Sequence, residues 1–404
     1  MAFHKKARRK LPRALVGLST VAVLAGVTAA PALADGEQQD KGTIVGADRA
    51  NAVEDSYIVV LDDEATAAAG VRSVAGDLAS SYDAAVESTY NSALDGFTAT
   101  MSESDAERLA ADPDVAMVEV NQEFQIYDTQ EDATWGLDRV DQRALPLDGT
   151  YTYATTAANV NAYIIDTGIN LGHNDFEGRA QLGFDALGGD GSDCHGHGTH
   201  VAGTVGGETY GLAKDVNLFA VRVLDCEGSG TTDGVIAGVE WVTENATGPA
   251  VANMSLGGGA SEALDAAVQG SIAAGVTYSV AAGNESSDAC GGSPSRVPEA
   301  LTVGATDDQD RGASFTNVGS CVDLLAPGVD ITSDWVGSPD ATETISGTSM
   351  AAPHVAGAAA LYLSTNPDAA PAQVGEALVG SATPDVITNP GVGSPNLLLH
   401  TGTD

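Results

Sequence analysis

Positive charge is scarce in this chain. Its 404 residues hold 17 Lys or Arg against 56 Asp or Glu, a formal net charge of -39. Binding to a phosphate backbone needs clustered cations, so nucleic acid is excluded as a partner. The cations that exist crowd at the start, as Lys5, Lys6, Arg8, Arg9, Lys10 and Arg13, and beyond residue 127 the only lysine is Lys214. Such a surface keeps a protein soluble, and it would also suit high salt or high pH. Aromatic residues make up 5% while glycine numbers 48, so tight turns and close backbone packing are expected in place of an aromatic-rich core. Cysteine occurs four times, all between residues 194 and 321 and never as CxxC. Zinc held by cysteine is therefore disfavoured. In an exported chain an even number suggests two disulfides, with buried free thiols as the other reading. Neither HExxH nor GxSxG occurs. Apart from Ala14 to Ala30, no segment is apolar enough to span a bilayer.

The length calls for two folded units plus processed segments. Residues 1–34 read as an export signal: KKARRK, the apolar run, then Ala32-Leu33-Ala34, with cutting expected after Ala34. Gly17, Gly26 and that cleavage pattern favour removal over a retained anchor, so no membrane association is expected afterwards. Residues 35–55 are polar and read as a linker. A small α+β unit follows at about 56–122. Strands are expected at Tyr57–Leu61, Ala84–Tyr90, Gly96–Thr100 and Val115–Val120, with helices at Val71–Tyr82 and after the Ser102/Asp105 cap pair. The order β-α-β-β-α-β is the ferredoxin-like split βαβ arrangement. Residues 121–134 are polar, apart from Phe124-Gln125-Ile126-Tyr127, and suit a proteolytic cut. From Trp135 the pattern changes. Short apolar runs at 162–165, 218–223, 251–254, 277–281 and 301–305 alternate with helical runs at 231–245, 261–274 and 350–365. The fold class expected is therefore α/β, a mostly parallel sheet with helices on both faces. Such sheets carry their sites at the C-terminal ends of the strands.

Three motifs stand at element junctions. Asp166 ends the run Ile164-Ile165-Asp166-Thr167-Gly168, where a buried carboxylate needs a partner. His197 lies in Gly196-His197-Gly198-Thr199-His200. Ser349 lies in Ser346-Gly347-Thr348-Ser349-Met350-Ala351-Ala352-Pro353-His354, at a helix start, with Pro353 tolerable in the first turn. Amide cleavage by a hydroxyl needs a base and a group that orients the base. Asp, His and Ser in this order supply them.

With these motifs the chain resembles the subtilases, the proteinase K group and its aqualysin-like members in particular. The likeness runs from about Trp135 to Leu399, with an inhibitor-like propeptide before it. It implies a secreted serine endopeptidase made as a zymogen, with a 35–127 propeptide and a 128–404 peptidase domain. Asp166 would orient His197, His197 would be base then acid, and Ser349 would be nucleophile. Val280-Ala281-Ala282-Gly283-Asn284 matches the oxyanion segment, which assigns the hole to the Asn284 amide and the Ser349 N–H. Gly228-Ser229-Gly230 and Ser255-Leu256-Gly257 match the edges that bind a peptide as an added strand, and Ala281 and Gly283 would wall the primary pocket. Small residues there leave room for a large apolar side chain. The matching mature start is Asp128, which puts Tyr127 before the cut and points to aromatic or large apolar preference.

The resemblance further implies the bridges Cys194–Cys226 and Cys290–Cys321. It implies one or two structural calcium ions. One would sit on the carbonyls of Pro298 and Ala300 with Asp323, and the other on Asp138, Asp141 and Gln142, although Asp138 and Asp141 also read as a solvated face. Expected partners are protein and peptide substrates and the chain's own propeptide, acting as inhibitor and folding assistant on a monomer. Other readings carry less. His195, His197 and His200 form a zinc-like HxHxxH, but the flanking glycines suggest backbone constraints. His200 and His354 are expected to hydrogen-bond within the helices that start at the site. His173 and His400 are expected at the surface. A silent fold used for binding and an esterase are the rival functions.

Overall fold

The computed structural model describes residues 42–47, 49, 52–122 and 127–402, so the signal with Ala34 and residues 123–126, Phe124 included, lie outside the described residues. The chain divides into two compact units.

The first unit carries a five-stranded sheet in the order Ile44–Val45, Val115–Gln122, Ala52–Leu61, Asp95–Thr100, Ala85–Asn91. Ala52–Leu61 and Ala85–Asn91 both pair antiparallel with Asp95–Thr100. Helices Val71–Ser81 and Glu103–Leu109 bury Val74, Leu78 and Leu109 with Val59, Phe97 and Val118. The expected split βαβ order is present. Two details differ. The linker expected at 35–55 is partly strand, because Ile44–Val45 pairs parallel with Val118 and Glu119 and the second strand starts at Ala52. An open sheet edge offers unpaired N–H and C=O groups, and even two residues satisfy some of them. The helix Asp63–Ala69 was also not expected; Asp62 caps it through Glu64 N at 2.8 Å.

The second unit is built on a nine-stranded sheet. Its order is Thr383–Pro384, Leu397–Leu398, Leu324–Pro327, Leu301–Thr306, Thr277–Ala281, Ala250–Met254, Asn161–Asp166, Asn217–Arg222, Ala180–Asp185. All pairings are parallel except Thr383–Pro384 with Leu397–Leu398. All five apolar runs become strands of this sheet, and Ala250–Met254 and Thr277–Ala281 are buried throughout. Strands covered on both faces must be apolar on both faces, which is why they read as runs and not alternations. Later strands build outward from Asn161–Asp166 in opposite directions, so its C-terminal end is a switch point.

Helix Thr348–Thr365 is buried without a break from Met350 to Ala360. A helix apolar all round belongs in a core, and its Ala and Gly residues let the helix His197–Gly206 lie against it. Because it begins at Thr348, Pro353 falls in the second turn and not the first. Helices Trp135–Asp141 and Pro371–Ser381 were not anticipated, while the helix expected to carry His200 runs from His197 to Gly206. Two histidines expected at the surface are buried: His173 is 4% exposed and His400 1%. His173 trades water for protein partners, with Nε2 2.9 Å from Ala341 O and Nδ1 3.4 Å from the buried Asp334. His400 follows the Leu397–Leu398 strand, whose pairing draws it inside. Among the described residues no helix is long and apolar enough to cross a membrane.

Candidate active site

Asp166 closes the strand Asn161–Asp166, and its carboxylate is 0% exposed. Thr167 N donates to Oδ1 at 2.7 Å, and His197 Nδ1 lies 2.8 Å from Oδ1 and 3.0 Å from Oδ2. A buried carboxylate needs such partners, and through them it fixes the orientation of the imidazole. His197 is the first residue of its helix, next to Gly198. A Cβ on Gly198 would lie 2.2 Å from Gly168 O, so only glycine lets the helix start this close to the strand end. Asp193 ties the preceding loop: Oδ1 accepts from His195 N, Gly196 N and Thr167 Oγ1, and Oδ2 from Thr199 N and Oγ1. Burial opposes the imidazolium of His197, but the Asp166 charge and hydrogen bond outweigh it, so the pKa is raised. The three histidines of HxHxxH go to separate partners: His195 Nδ1 accepts from His197 N, and His200 Nε2 lies 3.0 Å from Ile331 O. His354 Nδ1 sits 2.8 Å from Met350 O in its own helix, whereas the His200 partner lies outside its helix. Burial pushes both down to about 4, so both are neutral.

Ser349 is the second residue of its helix. Its Oγ donates to Ser255 O at 3.1 Å; among the described residues it makes no hydrogen bond to His197. Asn284 follows the Thr277–Ala281 strand and receives Thr348 N at 2.8 Å and Thr348 Oγ1 at 2.9 Å on Oδ1. Among the described residues Nδ2 has no acceptor. A Cβ built on Gly347 would lie 3.6 Å from both Asn284 Nδ2 and Ser349 N. The two donors thus flank one small space that the absence of a side chain keeps open.

Two adjoining hollows form the cleft. One, of 520 Å³, is lined by His195, His197, Gly228, Ser229 and Gly230, and the other, of 490 Å³, by Ala281, Gly283, Asn284 and Ser349; Ser255, Leu256 and Gly257 wall both. Every residue assigned to substrate binding from sequence lines one or the other. Sequence reasoning missed Glu285 and Asn317 in the second hollow. Glu285 Oε2 accepts from Asn284 N at 3.0 Å and Asn317 Nδ2 at 2.9 Å. No local pattern marks Asn317, which lies 33 residues on from Asn284 in the numbering.

Cys194 is bridged to Cys226 and Cys290 to Cys321, across 32 and 31 residues. Loops of this length stabilise by about 3.7 kcal/mol each in the chain-entropy account. Among the candidate cation ligands, Asp323 Oδ2 accepts Thr302 N at 2.8 Å, and burial pushes its pKa up to about 6. A carboxylate in that state gains from a bound cation. Asp138 spends both oxygens on Asp148 N and Gly149 N. Asp141 and Gln142 line a separate 250 Å³ hollow with Asp148, and burial pushes Asp141 up to about 6. Gln142 Nε2 donates to Ala144 O and Pro146 O. Among the described residues no three His, Cys, Asp or Glu side chains are grouped to hold a metal, so backbone oxygens would have to complete either site.

The profile of the subtilase family matches residues 159–400, and that of peptidase inhibitor I9 matches residues 56–127. The chain is 56% identical over 320 residues to an extracellular serine proteinase of Thermus sp. (strain Rt41A), covering 79% of this chain and 78% of that protein. It is 48% identical over 331 residues to alkaline serine exoprotease A of Vibrio alginolyticus, covering 80% of this chain and 61% of that longer protein. A crystal structure of a cold adapted subtilisin-like serine proteinase superposes with a TM-score of 0.66 at 54% identity, covering 68% of this chain and all of that one. Family profile, relatives and fold agree, and the chain belongs to the subtilase family of serine proteinases, with an inhibitor-type propeptide ahead of the peptidase fold.

Proposed function

We propose that this subtilase is a secreted endopeptidase, made as a self-cleaved zymogen, that works through an acyl-enzyme on Ser349. The observation that carries this is the buried Asp166 bonded to His197 at 2.8 Å beside the cleft that Ser349 lines. Substrate would lie as an added strand along Ser229 and Leu256. The Ser349 hydroxyl turns from Ser255 O toward His197, gives its proton to Nε2 and attacks the scissile carbonyl carbon. Asp166 keeps the Nδ1–H in place and stabilises the imidazolium. Asn284 Nδ2 and Ser349 N receive the oxyanion. His197 then gives its proton to the leaving amine, and a water repeats the sequence to release the acid.

The primary pocket would take an aromatic or large apolar side chain, supported by the small residues Ala281 and Gly283 in a 490 Å³ hollow. Tyr127 would precede the maturation cut, supported by its exposure and by the strand that starts at Asp128. To test the reading, amide hydrolysis is measured on peptides with Phe, Leu, Ala or Asp before the leaving group, with and without a sulfonyl fluoride. The expected result is fastest cleavage after Phe, and loss of activity in step with one label on Ser349. Labelling at another residue would sink the assignment, and equal rates across the panel would sink the pocket preference.

Calcium would be held by Asp323 with nearby backbone carbonyls, those of Pro298 and Ala300 in the sequence-based assignment, supported by the raised pKa of the half-buried carboxylate. Bound there, the ion would neutralise that carboxylate and pin the start of the Leu301–Thr306 strand. A chelator is expected to lower Tm by several degrees in the wild type and much less in Asp323→Asn. A Tm indifferent to chelator in the wild type rules the site out.

A further inference from the structure

Ser349 sits four residues before Pro353, inside one helix. In a regular turn the carbonyl of Ser349 would accept the N–H of residue 353, but proline has none. A buried carbonyl without a partner is costly, so something must replace that bond. Ser255 Oγ does, donating to Ser349 O at 2.7 Å. The hydroxyl is itself held, because Asn253 Nδ2 donates to Ser255 Oγ at 2.9 Å. Asn253 is 1% exposed and Ser255 3%. Residues two apart on an extended segment face the same way, which puts both on the side of the helix. Gly347 precedes the helix without a side chain to cap it, so groups from other elements fix its start. Asn284 Oδ1 anchors Thr348 N, and Ser255 Oγ anchors Ser349 O.

We propose that the Ser255 hydroxyl, aimed by Asn253, is a positioning group for the nucleophile, standing in for the helical hydrogen bond that Pro353 removes. Its carbonyl bond sets the peptide plane that follows Ser349, and with it the ψ of Ser349 and the way its side chain leaves the helix start. Ser255 thus has two roles. Its backbone serves the substrate edge, and its side chain serves the turn that carries the nucleophile. The inference rests on Ser349 being that nucleophile.

Ser255→Ala removes the side-chain role and keeps the backbone one. Per active site counted by acylation burst, kcat is expected to fall on the order of tenfold, the worth of one hydrogen bond to a partly buried acceptor. KM and the acid limb of the pH profile should hold, because His197 and the substrate edge are untouched. Pro353→Ala returns an N–H to Ser349 O. In that background Ser255→Ala should cost less than about threefold. An equal tenfold loss in both backgrounds, or a loss seen only in KM, overturns the proposal. Should Ser255→Ala fold poorly, Asn253→Asp gives a second route. Its carboxylate accepts the Ser255 proton and draws the hydroxyl off Ser349 O, so kcat should again fall with KM unchanged, and an unaltered kcat overturns the proposal. Ser349→Ala is run beside them. If it stays active, the nucleophile assignment fails and takes this inference with it. If it is dead while Ser255→Ala keeps wild-type kcat, this inference alone fails.

Discussion

Ser349→Ala is expected to lower kcat/KM on a peptide amide by about 10⁶-fold and to leave the propeptide uncut. The first effect follows from the chemistry: without Oγ there is no acyl-enzyme, and His197 has no hydroxyl to deprotonate. The residual rate should still exceed the uncatalysed one, because Asn284 Nδ2 and Ser349 N remain to stabilise an oxyanion formed by water. The second effect follows if the chain matures itself. Secreted wild type should begin at Asp128, while the variant should keep residues up to Tyr127 and beyond, read by N-terminal sequencing and intact mass. A variant that begins at Asp128 would show that another protease makes the cut, and a variant of full activity would remove Ser349 from the mechanism. The structural cost should be small. Among the described residues Ser349 Oγ makes one hydrogen bond, to Ser255 O, and the Thr348 and Ser349 backbone stays anchored through Asn284 and Ser255. A Tm close to wild type therefore separates lost chemistry from lost fold.

What could be read from the residues follows the length scale of each interaction. The strand at 161–166 and the Asp that ends it were legible because a buried parallel strand is apolar on both faces and a charge at its end stands out. The helix His197–Gly206, expected only as one that starts at the site and carries His200, was legible without its bounds. Its sequence, HGTHVAGTVG, is poor in strong helix formers, and burial of everything after His197 makes it helical. Asp193 illustrates the same limit: nothing near it marks a carboxylate that accepts from five donors. Asn253 and Pro353 are legible only together, since a proline in a helix matters here through the carbonyl it leaves open. His173 was misplaced because a lone histidine gives no sign of the backbone carbonyl or carboxylate that will replace its water, and His400 because nothing beside it marks the strand pairing that draws it inside. The motifs around Asp166, His197 and Ser349 stood out because each holds a glycine within two residues, Gly168, Gly196 with Gly198, and Gly347, which close packing at one point of the sheet requires.

Asp166→Asn is expected to lower kcat by about 10⁴-fold while changing KM little. The amide is nearly isosteric, so the cavity stays filled. Asn can present N–H to His197 Nδ1 where the carboxylate presented only acceptors, which favours the tautomer with its proton on Nε2. That nitrogen is the one that must take the Ser349 proton, so the base is blocked at its working atom. The pH dependence should move as well. Burial works against charge on His197, and Asp166 reverses this to hold the pKa above the ordinary 6.5. Catalysis needs the neutral imidazole, so the acid limb of kcat/KM in the wild type should lie above 6.5. With the carboxylate charge gone only burial remains as the dominant influence, and the limb of the residual activity should move to lower pH. Both effects come from one profile of kcat/KM against pH for the two proteins. A large fall in rate with the limb unmoved would show that Asp166 orients His197 without setting its charge. A moved limb with little loss of rate would show the reverse, and would contradict the role given to the 2.8 Å hydrogen bond between them.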